Sequence, residues 1–521
     1  MLFLVLGSTY FDKALTRLGH RIVRPEYGQS DPDLADILAR MDSRPDVFLL
    51  VDDLGRRVFP KGLRLLDAPT VYYAVDGPIN AYWQRHFSSL FDLVFVDQKD
   101  SAQKLNQTIP AQAVWLPVAV DTSIYQGPPE PQTHDIAFVG VLNEQVRPKR
   151  SRIVEMLSRR YNMITAGGRR QAWVSPQEAA VLYRQSRLVL NENLFDGVTT
   201  RMFEAMASGS MLLTESGDNG LNELLEIGAD LDVFTPDNLF DQVDFYLARS
   251  EQRERVAKQG RDTVLARHDI LNRTASLLEH VAKAKPGLGL RNADYDREKG
   301  KALFWTGLRW PAHQGWERLL RSERLLMKAG HNRSGDPESL FFLGMIALIK
   351  GSKAAAQTRL NQAADAGCLR ARLALGYADL EDGRNSDAHA HLTQATNIAG
   401  IEFPDRFGPN GKLSADQHVA LARTLQARGH DINPGFSRFG LDMALYNAVE
   451  HLQAALEINP NHSTALLSMG RLLVEYRVHT EAYPFLARAS ALRPSDASLA
   501  AEALQSAQQG YIRQDRERKV A

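Results

Sequence analysis

The stretch Leu190-Asn191-Glu192-Asn193-Leu194-Phe195-Asp196-Gly197-Val198-Thr199-Thr200-Arg201-Met202-Phe203-Glu204-Ala205-Met206-Ala207-Ser208-Gly209 sets two carboxylates, Asp196 and Glu204, eight positions apart. A strand-like run leads into a polar loop, Thr199 or Thr200 can cap the helix that follows, and Gly209 can end it. A helix beginning near Thr199 would offer its first amides as an anion site beside Asp196, with Glu204 facing the same cleft. The plainer reading makes Asp196 a helix-leading cap residue and Glu204 a solvated helix position.

Four other places carry chemistry. Phe138-Val139-Gly140-Val141-Leu142-Asn143 is followed by Arg147-Pro148-Lys149-Arg150, a glycine turn beside a basic turn, and Arg201 is a further cation at the amino end of the helix above. Gly7-Ser8-Thr9-Tyr10 follows an apolar run, where backbone amides could approach a ligand or the chain could simply turn from strand to helix. The G-x-G-x-x-G spacing of a dinucleotide fingerprint is missing there. Tyr72-Tyr73-Ala74-Val75-Asp76-Gly77-Pro78 puts Asp76 just past a strand, where its carboxylate could accept a proton from a hydroxyl or cap a turn. Asp52-Asp53 has no third oxygen ligand near it in sequence and reads as a solvated strand end. The P-loop, zinc-protease and serine-hydrolase motifs do not occur.

The elements that must hold these residues follow from patterning. Up to about His280, short Val/Leu/Ile/Phe runs alternate with amphipathic stretches, the grammar of parallel strands with crossover helices. One strand series is Leu2–Leu6, Val47–Val51, Val71–Ala74, Leu93–Val96 and Val114–Leu116. A second is Ile136–Val139, Met163–Thr165, Leu188–Leu190, Met211–Thr214 and Leu231–Phe234. The proline-rich Gln126–Pro131 separates them, so two α/β domains (1–125 and 132–285) would leave a cleft between them.

Beyond a hinge-like Lys285-Pro286-Gly287-Leu288-Gly289 the strands stop. Residues 286–335 read as a helical linker and 336–505 as helical repeats. Gly344, Ala356, Leu360 and Ala363 recur 32 residues later as Gly376, Ala388, Leu392 and Ala395. Ala448, Leu452, Ala455 and Pro460 recur 34 residues later as Ala482, Leu486, Ala489 and Pro494, the later copy led by Gly470. Small residues at these positions let paired helices approach closely. Gly408 to Gly440 breaks the pattern.

Composition bounds the rest. The 521 residues imply about three to four domains. A 44% hydrophobic and 24% charged content excludes fibrous and disordered classes. Lys plus Arg and Asp plus Glu both number 62, which argues against a general nucleic-acid binder while leaving room for a local phosphate pocket. The single cysteine, Cys368, fits a reducing cytoplasm. Met1–Leu6 reads as a buried strand, not a signal peptide, and no run is long enough for a membrane helix.

The acid, seven residues, Glu, Ala, Met, Ala, any residue, Gly of Asp196–Gly209 resembles the E-x7-E signature of GT-B glycosyltransferases, with Asp196 replacing the usual first Glu. Asn193 to Glu204, Leu213-Thr214-Glu215 and the run from Asp241 to Arg273 resemble more closely the group related to spore-maturation glycosyltransferases. The repeats resemble tetratricopeptide arrays, with a Sel1-like stretch from Ala364 to Tyr377.

The resemblance implies two Rossmann-like domains, α/β, followed by an all-α solenoid. It implies Glu204 on the donor ribose and Asp196 on the transferred sugar, with Thr199, Thr200, Arg201, Gly140 and Gly7 around the donor. Arg147 and Arg150, then Lys149, would meet the departing diphosphate, and Asp76 would be the base. The co-substrate would be a UDP- or GDP-type nucleotide sugar, without a resident cofactor or catalytic metal. The acceptor would be a protein, such as flagellin or another surface component, or a glycan, held by the repeats, which are expected to leave the donor pocket alone. The competing reading is a catalytically idle scaffold whose repeats bind a partner.

Overall fold

The computed structural model describes residues 1–53, 57–144, 147–167, 174–193, 196–291, 293–309, 312–330, 336–429 and 446–512. Two all-parallel sheets fill the first half. The first contains β1 (Leu2–Gly7), β2 (Arg21–Val23), β3 (Val47–Val51), β4 (Thr70–Ala74), β5 (Leu93–Val96) and β6 (Gln112–Trp115), ordered β2-β1-β3-β4-β5-β6. The second contains β7 (His134–Val139), β8 (Met163–Ala166), β9 (Ser186–Asn191), β10 (Met211–Glu215) and β11 (Asp232–Phe234), ordered β11-β10-β9-β7-β8. Each sheet reverses its strand order between its first and third strands, which opens a crevice at their carboxyl ends.

The inner strands β1, β3, β4, β5 and β10 are buried on both faces, which is why their sequences are nearly continuous apolar runs, while the edge strands β2 and β6 leave Arg21 and Gln112 exposed. In β1, Phe3 and Val5 enter one core and Leu4 and Leu6 the other. The helix Ile270–Val281, which ends the segment read as the second domain, packs Ile270, Leu277 and Val281 into the first sheet's core. The chain crosses between domains twice at one place. Ile270 N donates to Val120 O at 2.8 Å, and Asp269 Oδ2 accepts from Thr122 Oγ1 at 2.7 Å.

The stretch expected to hinge is pinned instead. Buried Asp92 accepts from both Gly287 N and Gly289 N at 2.9 Å. Nor do the next helices, Ala293–Arg309 and Ala312–Gly330, behave as a linker. They pack together, and the first lies on the helix Gly77–Ser88, with His86 Nδ1 2.6 Å from Glu298 Oε2. Arg318 and Arg321 reach back to buried Asp31. Leu303, Phe304, Phe341 and Phe342 therefore share one continuous core with Trp83 and Phe87.

The following helices form successive pairs, Pro337–Ile349 with Lys353–Asp365, Leu369–Glu381 with Asn385–Asn397, Ala415–Gln426 with Ala448–Ile458, and Ser463–Glu475 with His479–Leu492, and the last helix, Ala497–Gln509, packs on His479–Leu492. The repeated glycines sit at the crossings. A Cβ on Gly344, Gly376 or Gly470 would stand 2.6–2.8 Å from the side chain of Leu360, Leu392 or Leu486. In the irregular stretch, Ala415–Gln426 is helical, while 430–440 lie outside the described residues. Among the described residues no helix is long and apolar enough to cross a membrane.

The far end of this helical region returns to the second sheet. Tyr511, fully buried, joins the core of β7, β9 and β10, its ring 6.4 Å from Phe234 and its hydroxyl donating to Glu215 Oε1 at 3.3 Å. Gln508 also bonds Asp237. The end of the helical region therefore packs on the domain of the second sheet.

Candidate active site

At the crevice of the second sheet, β7 ends at Gly140 beside the end of β9. Arg201, in the first turn of the helix Thr200–Ala207, donates through Nε to Val139 O at 2.7 Å and through Nη1 to Asn191 Oδ1 at 2.8 Å. Its guanidinium lies 4.5 Å from the centre of the Phe138 ring. A Cβ at position 140 would displace that guanidinium.

Thr199 occupies the helix N-cap without capping it. Its hydroxyl goes to Asn191 Oδ1 at 3.1 Å, and Thr200 is exposed, so among the described residues no N-cap side chain covers the first-turn amides. Uncapped first-turn amides carry partial positive charge.

The two acids of the signature part company. Glu204 accepts from Tyr183 OH at 3.2 Å and bonds Tyr125, and burial raises its carboxyl above the ordinary value. Asp196, left-handed at φ 55, pairs with Arg477 of the connection between Ser463–Glu475 and His479–Leu492.

The basic turn divides in the same way. Arg150 is buried, with Nε 2.9 Å from Glu192 Oε2. Lys149 Nζ stands 2.8 Å from Glu215 Oε2 and 3.6 Å from Glu192 Oε1. Burial opposes the Glu192 charge, but Lys149 and Arg150 outweigh it and hold the carboxyl below its usual range. Arg147 precedes the helix Pro148–Ser158 and lines the interdomain cleft; burial, then Arg150, lowers its pKa.

That cleft encloses about 710 Å³. Its walls are Ile79 from the first domain, Arg147, Lys149, Asn193 and Asp196 from the second, and Tyr476 to His479 from the helical region. Asn191 links it to the Arg201 cluster, since Asn191 Nδ2 donates to Asn193 Oδ1 at 2.7 Å. Beside the cleft the domains are latched. Gln98 Nε2 donates to Val198 O at 3.3 Å, Asp100 N to Asn219 Oδ1 at 3.0 Å, and Lys99 pairs with Glu223.

Asp76 stands at the first-domain edge, left-handed at φ 52 and leading the helix Gly77–Ser88. Burial raises its carboxyl, partly offset by Arg57 and Arg147, so it lies in the field of the cleft cation. Behind it Asp97 accepts from Asp76 N at 3.1 Å and is pushed up to about 7, first by burial.

Two sequence expectations take another form. Gly7 N donates to Tyr27 OH at 3.3 Å and Gly7 O accepts from Arg24 at 2.7 Å, which makes this a tight turn filled by side chains rather than an open amide cradle. Its φ of 82° and the nearness of the Val51 carbonyl require glycine. Asp52 is buried, not solvated, and holds Arg57 Nη1 at 2.8 Å, Gln84 and Tyr72. Among the described residues no group of three or more His, Cys, Asp or Glu could hold a metal.

Sequence reasoning missed Asp97, Glu192, Asn191, Tyr125, Tyr183 and Arg477. The first three stand at or just past strand ends, a position that flags them. Nothing local marks Arg477.

Residues 145–279 match the family described as glycosyl transferase-like, a span shorter than half the chain. No curated protein matches. Among solved structures, sucrose-phosphate synthase from Thermosynechococcus elongatus is 10% identical with a TM-score of 0.40, covering 54% of this chain and 100% of its own. A glycosyltransferase from Rickettsia africae is 11% identical with a TM-score of 0.38, covering 54% and 97%. Anabaena HepE, solved with UDP and glucose, is 12% identical with a TM-score of 0.36, covering 54% and 99%. The family match falls on the second sheet domain, which supplies Arg147, Asp196, Arg201 and Glu204.

Proposed function

We propose that the protein transfers a sugar from a nucleoside-diphosphate sugar to an acceptor hydroxyl in the cleft between its two sheet domains. The observation that carries this reading is the meeting, in one cleft, of Arg147 and Asp196 from the glycosyltransferase-like segment with Ile79 of the first domain, three residues past Asp76, whose carboxyl feels the Arg147 charge. On this reading Glu204, oriented by Tyr125 and Tyr183, holds the ribose and Asp196 the sugar. Arg147 and the uncapped amides at Thr200 face the diphosphate. The acceptor oxygen bonds to the anomeric carbon as the bond from that carbon to the diphosphate oxygen breaks, its electron pair leaving with the phosphate. Asp76 takes the acceptor proton, and the raised carboxyl suits a base. Charge on the leaving group is met by side chains and amides, and no resident cofactor is invoked. The helix pairs, read as a tetratricopeptide-like array, would hold a protein or glycan acceptor, flagellin or another surface component being the type expected.

One observation favours the scaffold reading. Lys149 and Arg150 are already neutralised by Glu192 and Glu215, as in a pocket that has given up its anion. Isothermal titration of the full chain with UDP, GDP and other nucleoside diphosphates separates the two. Saturable heat with one of them supports the transferase; none with any supports the scaffold.

A further inference from the structure

We infer that the helical array completes the donor site, with Arg477 as a diphosphate ligand that pairs with Asp196 when the cleft is empty. This rests on the nucleotide-sugar reading above and starts from the supply of positive charge. A nucleoside diphosphate brings several negative oxygens, and cations already saturated by buried acids or carbonyls have little to give them. Arg150 is taken by Glu192, Lys149 by Glu215 and Glu192, and Arg201 by Val139 O and Asn191. Among the described residues that line the cleft, Arg147 and Arg477 have no buried acid as an ion-pair partner.

The placement of Arg477 is built in. The connection that carries it is held by Arg477 N to Val474 O at 2.8 Å and Val478 N to Leu473 O at 2.9 Å, and Arg477 takes a left-handed φ of 59. Its side chain is 55% exposed and meets two acids of the second domain, Asp196 and Asp218. The helix behind it, His479–Leu492, touches the helix Pro148–Ser158 that follows Arg147. Tyr511 anchors this end of the array by burial under Glu215, with Thr480 Oγ1 donating to Gly510 O at 3.3 Å.

A guanidinium binds a diphosphate through several charge-assisted bonds, whereas Asp196 offers one carboxylate. Donor entry therefore draws Arg477 off Asp196 and frees that carboxylate for the sugar hydroxyls. Loading of the donor is felt directly by the last helix pairs of the array, the part that would grip the acceptor.

The test uses the full chain, Arg477→Met, Asp196→Asn and the double variant, titrated with the nucleoside diphosphate that wild type binds best and with its nucleoside. The expected result for Arg477→Met is a loss of about 10- to 150-fold for the diphosphate, the worth of a charged hydrogen bond, with nucleoside binding within about 2-fold. Asp196→Asn should tighten the diphosphate, and that gain should shrink in the Arg477→Met background, where no guanidinium remains for Asp196 to hold back. Equal diphosphate affinity in wild type and a folded Arg477→Met chain, or the same gain from Asp196→Asn in both backgrounds, overturns the inference while leaving the transferase reading in place. A wild type that binds no nucleoside diphosphate overturns both.

Discussion

Tyr511→Ala should release the end of the array from the donor domain. Tyr511 has no exposed surface, its ring completes the core around Phe234, and its hydroxyl donates to Glu215. Truncating a buried aromatic to alanine costs about 3–5 kcal/mol. The other contacts that dock this end include the exposed Gln508 to Asp237 bond and Arg477–Asp218 pair, the half-buried Arg477–Asp196 pair and the touch of His479–Leu492 on Pro148–Ser158, and exposed ion pairs contribute about 0–1 kcal/mol each. The largest single contact at this end is lost, so the docked fraction should fall while the sheets and inner helix pairs stay folded. Hydrogen exchange read by mass spectrometry should show faster exchange over 476–481 and 497–510, with β7, β9 and β10 unchanged. Tyr511→Phe removes only the 3.3 Å bond to Glu215 and should give a smaller change in the same peptides. Unchanged exchange over 476–481 in Tyr511→Ala would refute the anchoring role and require other contacts to hold the array in place.

Glu204→Ala should weaken donor binding and lower turnover, one charged hydrogen bond to ribose being worth about 1.5–3 kcal/mol; unaltered donor affinity in a folded variant removes Glu204 from the site. Arg147→Ala should weaken diphosphate more than nucleoside binding, whereas Arg150→Ala should lower the melting temperature, because breaking a buried pair costs about 3–5 kcal/mol; the reverse pattern would exchange their roles. Asp76→Asn should abolish transfer yet keep donor binding, and transfer at the wild-type rate would exclude it as the base. Asp97 is raised from 3.8 to about 7, so the folded state holds an extra proton between these values and stability should fall as pH climbs through that window, then level off. Asp97→Asn, which keeps an acceptor for Asp76 N, should flatten the melting-temperature profile between about pH 4 and 7; an unchanged slope would place the titration elsewhere.

Element type was legible in the sequence because it is a local property. Runs such as Val47–Val51 and Leu93–Val96 are strands with those very bounds, since a short apolar run flanked by polar residues can bury both faces only as an inner strand. The recurrence of Gly344 and Leu360 as Gly376 and Leu392 predicted helix pairs because close helix crossings demand a glycine opposite a leucine. Residue chemistry was legible as candidates only: Asp76 and Arg147 stood out by following strands, Asp196 and Glu204 by their spacing of eight around the start of a helix.

Partnership was not. Whether a cation is spent or available depends on which acid the fold brings beside it, and Lys149 with Glu215, 66 positions apart, shows nothing of this locally. The return of the array to the cleft rests on Tyr511 meeting Glu215 across 296 positions, and Lys299 reaching Pro60 O across 239 turned a presumed linker into part of the first domain. Patterning decides which face of a helix must be covered; what covers it is decided by long-range packing, in which burying that face against one neighbour rather than another leaves no trace in the periodicity.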